Sequence, residues 1–269
     1  MGRVVHRNRA SALSAEQLAR AVREAIVPHL LHGRGWAAGR ALAPPANAAF
    51  GRAHVEDFAR LAMQQEIGPV HARLQALRAD GVSVEALYSG LMAPAARFMG
   101  TLWHQDQACF TEVTVGVGLL QQVMRETNLR EGSFFQDAPA RRILLVPSVG
   151  NTHVFGLLMV ADLFSRAGWD VECDAGESAC SKLDAAAHEW YDVVGFSVAD
   201  RSGLEALSAV TERLRRVSCN RRLGIMVGGS VFTEDPQVLG CPVADVVVTD
   251  ACMAVDAATR LVLQGTAPP

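Results

Sequence analysis

The chain has 269 residues, 50% of them apolar and 20% charged, with a formal net charge of −3. That length suggests about two globular domains with a real core, and the charge gives no global bias toward nucleic acid or a membrane surface. No apolar stretch of about 20 residues predicts a membrane span, the N-terminus lacks the apolar core of a signal peptide, and six scattered cysteines without a C-x-x-C pair read as buried, reduced thiols of a cytoplasmic protein.

Residues 1–14 carry Arg3, His6, Arg7 and Arg9 before the first acid, Glu16. They read either as a solvated tail or as a weak electrostatic arm for DNA or an acidic partner. From Ser14, the helical spacing of Leu18, Ala21, Val22 and Ile26 predicts one helix that stops near Pro28 or Gly33. Residues 33–49, rich in Gly and Pro, read as a linker, so 1–50 is expected to be a flexible extension.

Residues 51–131 read as a run of helices. Phe58, Leu61 and Ala62 share one face, and a break is predicted at Gly68-Pro69. Val70, Leu74 and Leu77 form the next stripe, which ends at Asp80-Gly81. Ser83 then precedes Val84, Leu87, Leu91, Ala95, Phe98 and Leu102 at helical spacing. A last helix starts around Phe110-Thr111 and carries Val113, Val117, Leu120, Val123 and Met124. Four such helices can close a small bundle, and 131–139 is the expected domain boundary.

From Arg141 short apolar runs alternate with helical stretches. Strands are predicted at 143–146, 169–173, 193–197, 224–227 and 243–248. Helices are predicted near 154–167, 178–189, 202–217, 234–239 and 250–264. Strand alternating with helix implies an α/β domain over 140–269, a flavodoxin- or Rossmann-like five-stranded parallel sheet covered on both faces.

Three points in this half belong together. Asn151-Thr152-His153-Val154-Phe155-Gly156 follows the first strand, Ser197-Val198-Ala199 ends the third, and Gly228-Gly229 ends the fourth. In a doubly wound sheet these strand C-termini line one crevice, where ligands bind. A histidine on such a loop is either structural or a ligand, since neutral imidazole is the commonest metal-binding side chain. Gly156 would let the helix pack close to the loop, and the glycine pair would remove side chains where a ligand enters the sheet.

This arrangement resembles the cobalamin-binding domain shared by methionine synthase, corrinoid mutases and corrinoid methyltransfer proteins, whose pattern is Asp-x-His-x-x-Gly, Ser-x-Leu and Gly-Gly. The resemblance implies that His153 ligates cobalt from below, with the nucleotide tail displaced (base-off). It also implies that Ser197 hydrogen-bonds the tail base and that Gly228 and Gly229 make room for it. Asn151 stands where the family has aspartate, and Ala199 where it has leucine. An amide orients the histidine ring but adds no charge to its basicity, which points away from a catalytic corrinoid.

Trp103-x-x-Asp106-x-x-x-Phe110-x-x-Val113-Thr114-x-Gly116, followed by Leu120-Gln121, resembles the helical cap of cobalamin-binding transcriptional regulators. There a cap tryptophan lies over the upper cobalt ligand. Without that likeness Trp103 reads equally as a bundle-core residue. The Glu-His pair of the adenosylcobalamin photoreceptors is Val113-Thr114 here, which implies a cobalamin without the adenosyl group, in its hydroxo or aquo form. His104 is a further candidate upper ligand. The whole chain resembles the AerR/PpaA family of antirepressors of photosynthesis genes. This implies a light-responsive, non-enzymatic regulator acting through a repressor of the CrtJ/PpsR type, since no helix-turn-helix pattern is evident.

Other readings are a corrinoid carrier subunit of a methyltransferase, a haem sensor using His153, and a cofactor-free interaction domain. Gly33-x-Gly35 follows no strand and is no dinucleotide loop. Ser148, Ser197 and His153 lack the G-x-S-x-G elbow of a hydrolase. Asp162 falls too far along its helix for triad chemistry. Asp200 and Arg201 read as solvated loop charges, and His188 as a surface residue at a helix end.

Overall fold

The computed structural model describes residues 50–131, 141–148, 154–174, 182–184, 186–235, 237–238 and 243–265. The predicted N-terminal tail, helix and linker, and residues 132–139 of the predicted boundary, lie outside them. The helical part opens with α1 (Arg52–Met63), which buries Phe58, Ala59 and Ala62 on one face. Next comes α2 (Ile67–Ala79), burying Val70 and Leu74 one turn apart. The predicted break at Gly68-Pro69 is displaced toward the N-terminus. The chain turns before Ile67, where Gln65 takes a φ of 65°, and Gly68 and Pro69 form the first turn of α2. Proline fits there because first-turn N–H groups have no intrahelical acceptor.

Ser83 Oγ accepts from the Ala86 N–H at 3.2 Å and starts a rod in three parts: α3 (Val84–Leu87), a π turn (Tyr88–Met92) and α4 (Ala93–His104). The Ala93 N–H bonds to the Tyr88 carbonyl, five residues back. The sequence supplies the cause one position later. In a regular helix the Pro94 ring would press on the carbonyl of residue 90, and a wider turn relieves that clash. The last bundle helix, α5 (Phe110–Glu131), starts where the periodicity predicts. It crosses its neighbours closely at Gly116, where a Cβ would lie 2.7 Å from Met99 Sδ and 3.2 Å from Met63 Cγ.

The α/β part contains, in order, β1 (Arg142–Pro147), α6 (Phe155–Arg166), β2 (Asp170–Cys173), β3 (Val193–Ser197), α7 (Arg201–Val217), β4 (Gly224–Gly228), α8 (Ser230–Glu234), β5 (Val246–Val248) and α9 (Ala254–Gly265). The strands form one sheet in the order β2-β1-β3-β4-β5, all pairs parallel. This is the flavodoxin-like arrangement. Leu144, Val146, Val194 and Ile225 bury one face, and Ile143, Leu145, Val193 and Met226 bury the other. Burial on both faces is why these strands read as unbroken apolar runs. At the centre, Gly195 leaves space for its neighbours, since a Cβ there would stand 2.6 Å from Leu145 Cδ2.

Several boundaries differ from expectation. β5 begins at Val246 rather than 243, because Asp245 turns the chain into the sheet. Its Oδ2 accepts from the Ile225 N–H at 2.7 Å and its own N–H donates to the Ile225 carbonyl at 2.8 Å. The helix predicted at 178–189 is represented among the described residues only by one turn at 182–184 and a non-helical turn at 186–188. The helix predicted at 234–239 is replaced by α8, directly after Gly229, and a 3-10 turn at 237–238. The expectation of buried cysteines fails for the four that are described: Cys109 and Cys219 are exposed and Cys173 and Cys252 half-buried, all four free, while Cys180 and Cys241 lie outside the described residues. Cys109 and Cys219 lie on turns between elements rather than on core faces. Among the described residues no helix is long and apolar enough to cross a membrane.

The two halves share a core. Phe58, Leu91, Met99 and Leu120 of the bundle pack in one cluster with Phe155, Met159 and Leu163 of α6. Inside this contact the Tyr88 hydroxyl donates to Asp162 Oδ2 at 2.7 Å, and Arg166 Nε donates to the same oxygen at 2.7 Å. Tyr88 and Asp162 are both buried. Asp162 thus ties α6 to the π turn, which explains an acid on an otherwise apolar face.

Candidate functional site

The strand order reverses between β1 and β3: β1 connects to β2 on one side and pairs with β3 on the other. At such a switch point the loops leaving the two strands diverge and open a crevice at the carboxyl edge. The edge is tightly stitched. The Ser148 N–H donates to the Ser197 carbonyl at 2.8 Å, and the Val198 N–H to the Gly228 carbonyl at 2.8 Å. Ser197 and Gly228 are register partners on β3 and β4, both half-buried at the ends of otherwise buried strands. The predicted juxtaposition of these strand ends is therefore present.

Asn151, Thr152 and His153 lie outside the described residues. Gly156 is the second residue of α6, where a Cβ would meet no described atom within 4 Å. The expected packing reason for this glycine is thus not found among the described residues. Val198 has its side chain fully buried in the core, so only its backbone reaches the edge. Gly229 is held at a φ of +122°, and a Cβ there would stand 2.1 Å from the Val198 carbonyl oxygen. Its missing side chain serves the β3–β4 junction before it serves any ligand. At Gly228 a Cβ would lie 2.9 Å from the Val248 carbonyl oxygen.

Asp200 and Arg201 are not free loop charges. Asp200 Oδ1 accepts from the Gly203 N–H at 2.8 Å and from Ser202 Oγ at 2.6 Å, capping α7 as an aspartate before a helix does. Arg201 pairs with Asp235. This ion pair joins the first residue of α7 to the residue that follows α8, and it holds the Asp235 carboxyl below its usual range. The cap was signalled by Asp200 standing before a helical stretch. The ion pair had no local signal, because its partners are 34 residues apart.

The cap residues are gathered by one turn. After α4, Asp106 takes a φ of 55° and the Gln107 N–H bonds back to the Leu102 carbonyl at 2.8 Å. Glu112 Oε2 then accepts from the Cys109 N–H at 2.7 Å, in the manner of a capping box. This turn brings Phe110 edge-on to Trp103, ring centroids 6.1 Å apart, and His104 lies 5.4 Å from Trp103. Trp103 is half-buried rather than a bundle-core residue, and Phe110 is 37% exposed. Val113 packs partly against the bundle core, and Thr114 is exposed. Trp103 and Phe110 thus form an aromatic ledge at one end of the bundle.

Comparison with known proteins agrees with this geometry. Residues 141–258 match the B12 binding domain family, which supports corrinoid binding by the α/β part. An uncharacterized 20.5 kDa protein in the bchF-crtJ intergenic region of Rhodobacter capsulatus is 25% identical over 181 residues, covering 66% of this chain and 93% of that protein. The monomethylamine corrinoid protein of Methanosarcina barkeri superimposes with a TM-score of 0.62 at 13% identity, over 78% of this chain and 99% of its own. Likeness at that identity shows a common fold, helical part included.

Proposed function

We propose that this protein is a cobalamin-binding regulator, without catalytic turnover, that acts on photosynthesis genes through a repressor of the CrtJ/PpsR type. The observation that carries the cofactor reading is the switch-point edge, where Ser197 and Gly228 stand in register inside the stretch that matches the B12 binding domain. The regulatory reading is supported by the R. capsulatus relative, which lies beside a gene, crtJ, that bears the repressor's name.

The residues present fit the cofactor. The edge is free of side chains at Gly228 and Gly229, and Ser197 adds a half-buried hydroxyl beside them. His153 would hold the lower face of the cobalt, steadied by the Asn151 amide, with Thr152 and Gly156 shaping the loop. Ser197 would bond the displaced tail base. When bound, cobalamin supplies a metal centre whose upper ligand is exchangeable. Trp103 and Phe110, with Val113 and Thr114 behind them, would cover the upper face and select a small ligand such as water or hydroxide. Cofactor binding can signal only if it favours one arrangement of cap and sheet over another.

Purification in dim light, followed by separate addition of hydroxocobalamin and adenosylcobalamin, tests this reading by absorption spectroscopy. The hydroxo form is expected to bind with a histidine-ligated spectrum. His153→Ala should abolish that spectrum and the capture of the repressor. Unchanged binding and capture by the variant would refute the mechanism. The corrinoid-carrier alternative shares the fold, and transfer of a methyl group from methylcobalamin-loaded protein to a thiol acceptor would establish it instead.

A further inference from the structure

We propose that the pole of the α/β domain opposite the crevice docks a protein segment that carries an apolar side chain flanked by carboxylates. Residues 213–222 read RLRRVSCNRR, five arginines with no acid among them, in a chain of net charge −3. They run from the last turn of α7 into the turn before β4, at the amino edge of the sheet. Arginines in the last turn of a helix complement its dipole. That reason does not extend to Arg221 and Arg222, which lie beyond the helix and are exposed.

The turn that displays them is rigid. Buried Asn220 donates from Nδ2 to the Tyr191 carbonyl at 2.8 Å and accepts from the Arg222 N–H at 2.9 Å. Arg221 folds back, its guanidinium donating to the Arg216 carbonyl at 3.4 Å. Cys219 Sγ lies 3.2 Å from the Glu189 carbonyl oxygen, which sets the segment alongside Trp190. Trp190 is 53% exposed and Val217 44% exposed, two of the few large apolar side chains on the described surface. The pole therefore carries an exposed indole, whose N–H donates to Asp192 Oδ1 at 3.3 Å, and an exposed valine on the arginine-rich segment itself.

Acids near the cluster are engaged: Glu189 pairs with Arg142, and Asp192 accepts from the Arg142 backbone N–H and the Trp190 indole N–H. Asp184 pairs with Arg213 and Asp245 with Arg215, each at 2.8 Å. The Asp184–Arg213 pair is exposed on both sides and contributes only about 0–1 kcal/mol, so an incoming carboxylate can replace it. Tryptophan and arginine are the residues that most often dominate protein–protein contacts, an apolar anchor being ringed by polar groups that exclude water. The exposed Val217, which offers no face for a base to stack on, favours a protein over a nucleic-acid duplex, whose backbone would engage the arginines alone. This surface is remote from the crevice, so its function stands apart from cobalamin binding.

The test pans a random 12-residue peptide library on the full chain, with counter-selection on the R216E/R221E/R222E variant. Enriched peptides are expected to combine Asp or Glu with Leu, Phe or Trp. Their dissociation constants should rise at least tenfold with the charge-reversed variant and with Trp190→Ala, and severalfold between low and high salt. Thermal unfolding of both variants checks that they remain folded, and Arg221→Lys, which keeps the charge, should retain most binding. Enrichment of neutral peptides, or equal binding by the folded variants, would overturn the proposal. So would binding of a 30-base-pair duplex that the variant loses, with no acidic peptide selected; that result would reassign the pole to nucleic acid.

Discussion

Gly229→Ala separates a glycine required by the fold from one required by a ligand. The new Cβ would stand 2.1 Å from the Val198 carbonyl oxygen, 2.7 Å from its nitrogen and 2.8 Å from its carbonyl carbon. All three are backbone atoms of a buried residue bonded to Gly228, so none can swing aside. The φ of +122° adds a conformational cost of about 1–3 kcal/mol for a residue with a side chain. Forced overlap in a packed region costs about another 1–3 kcal/mol. Together they remove a large part of a typical folding stability of about 5–15 kcal/mol. At a urea dependence of about 2 kcal/mol per molar, the midpoint falls by roughly 1–3 M. The assay is urea unfolding of the cofactor-free protein, followed by circular dichroism. A variant that unfolds at the parental midpoint yet no longer binds cobalamin would refute the reasoning and return Gly229 to the ligand alone. Gly156→Ala is the internal control. A helical glycine whose Cβ would meet no described atom within 4 Å should gain about 0.5–1 kcal/mol on becoming alanine.

Other consequences are open to direct measurement. Tyr88→Phe keeps the buried ring but deletes its bond to Asp162, and should cost about 1.5–3 kcal/mol, the range for a hydrogen bond to a charged group; a thermal shift equivalent to under about 0.5 kcal/mol would count against the tie. Glu172 is held below its ordinary value of 4.5 by hydrogen bonds from Lys182 and Tyr191 and by the nearby charges of Lys182 and Arg142. Its stabilisation is therefore complete above that value and lost as pH falls through the lowered one. The stability gap between the parent and Glu172→Gln should stay flat from about pH 7 to 5 and shrink toward pH 3, and a gap that widens in acid would be inconsistent with the sign. Burial pushes the Cys173 thiol up to about 11, and alkylation needs the thiolate. Iodoacetamide at slightly alkaline pH should label exposed Cys109 and Cys219 first, as read by peptide mass spectrometry; equal labelling would contradict the burial.

Much of the sheet was legible because its strands are buried on both faces, so 143–146, 193–197 and 224–227 stand out as apolar runs. The start of β5 was not, because Val243 and Ala244 are apolar yet the entry is set by Asp245 binding the backbone of Ile225. Pro69 misled in the bundle because proline marks a helix start as well as a helix end, and only the positive φ of Gln65 decides between them. At the site, the alignment of Ser197 with Gly228 followed from strand ends alone. The roles of Asp162 and Arg201 depend on partners 74 and 34 residues away, which no local pattern encodes.

The π turn at Tyr88–Met92 is also a phase shifter. Each residue of an α-helix rotates the chain by about 100°, and one extra residue in a turn slips everything downstream by about that angle. Deleting a residue there would rotate α4 as a screw, carrying buried Leu102 toward solvent and Trp103 to a different bearing while Asp162 held Tyr88 in place. The direction in which Trp103 faces is thus set some eleven to fifteen residues upstream, by a counting offset that Pro94 makes necessary.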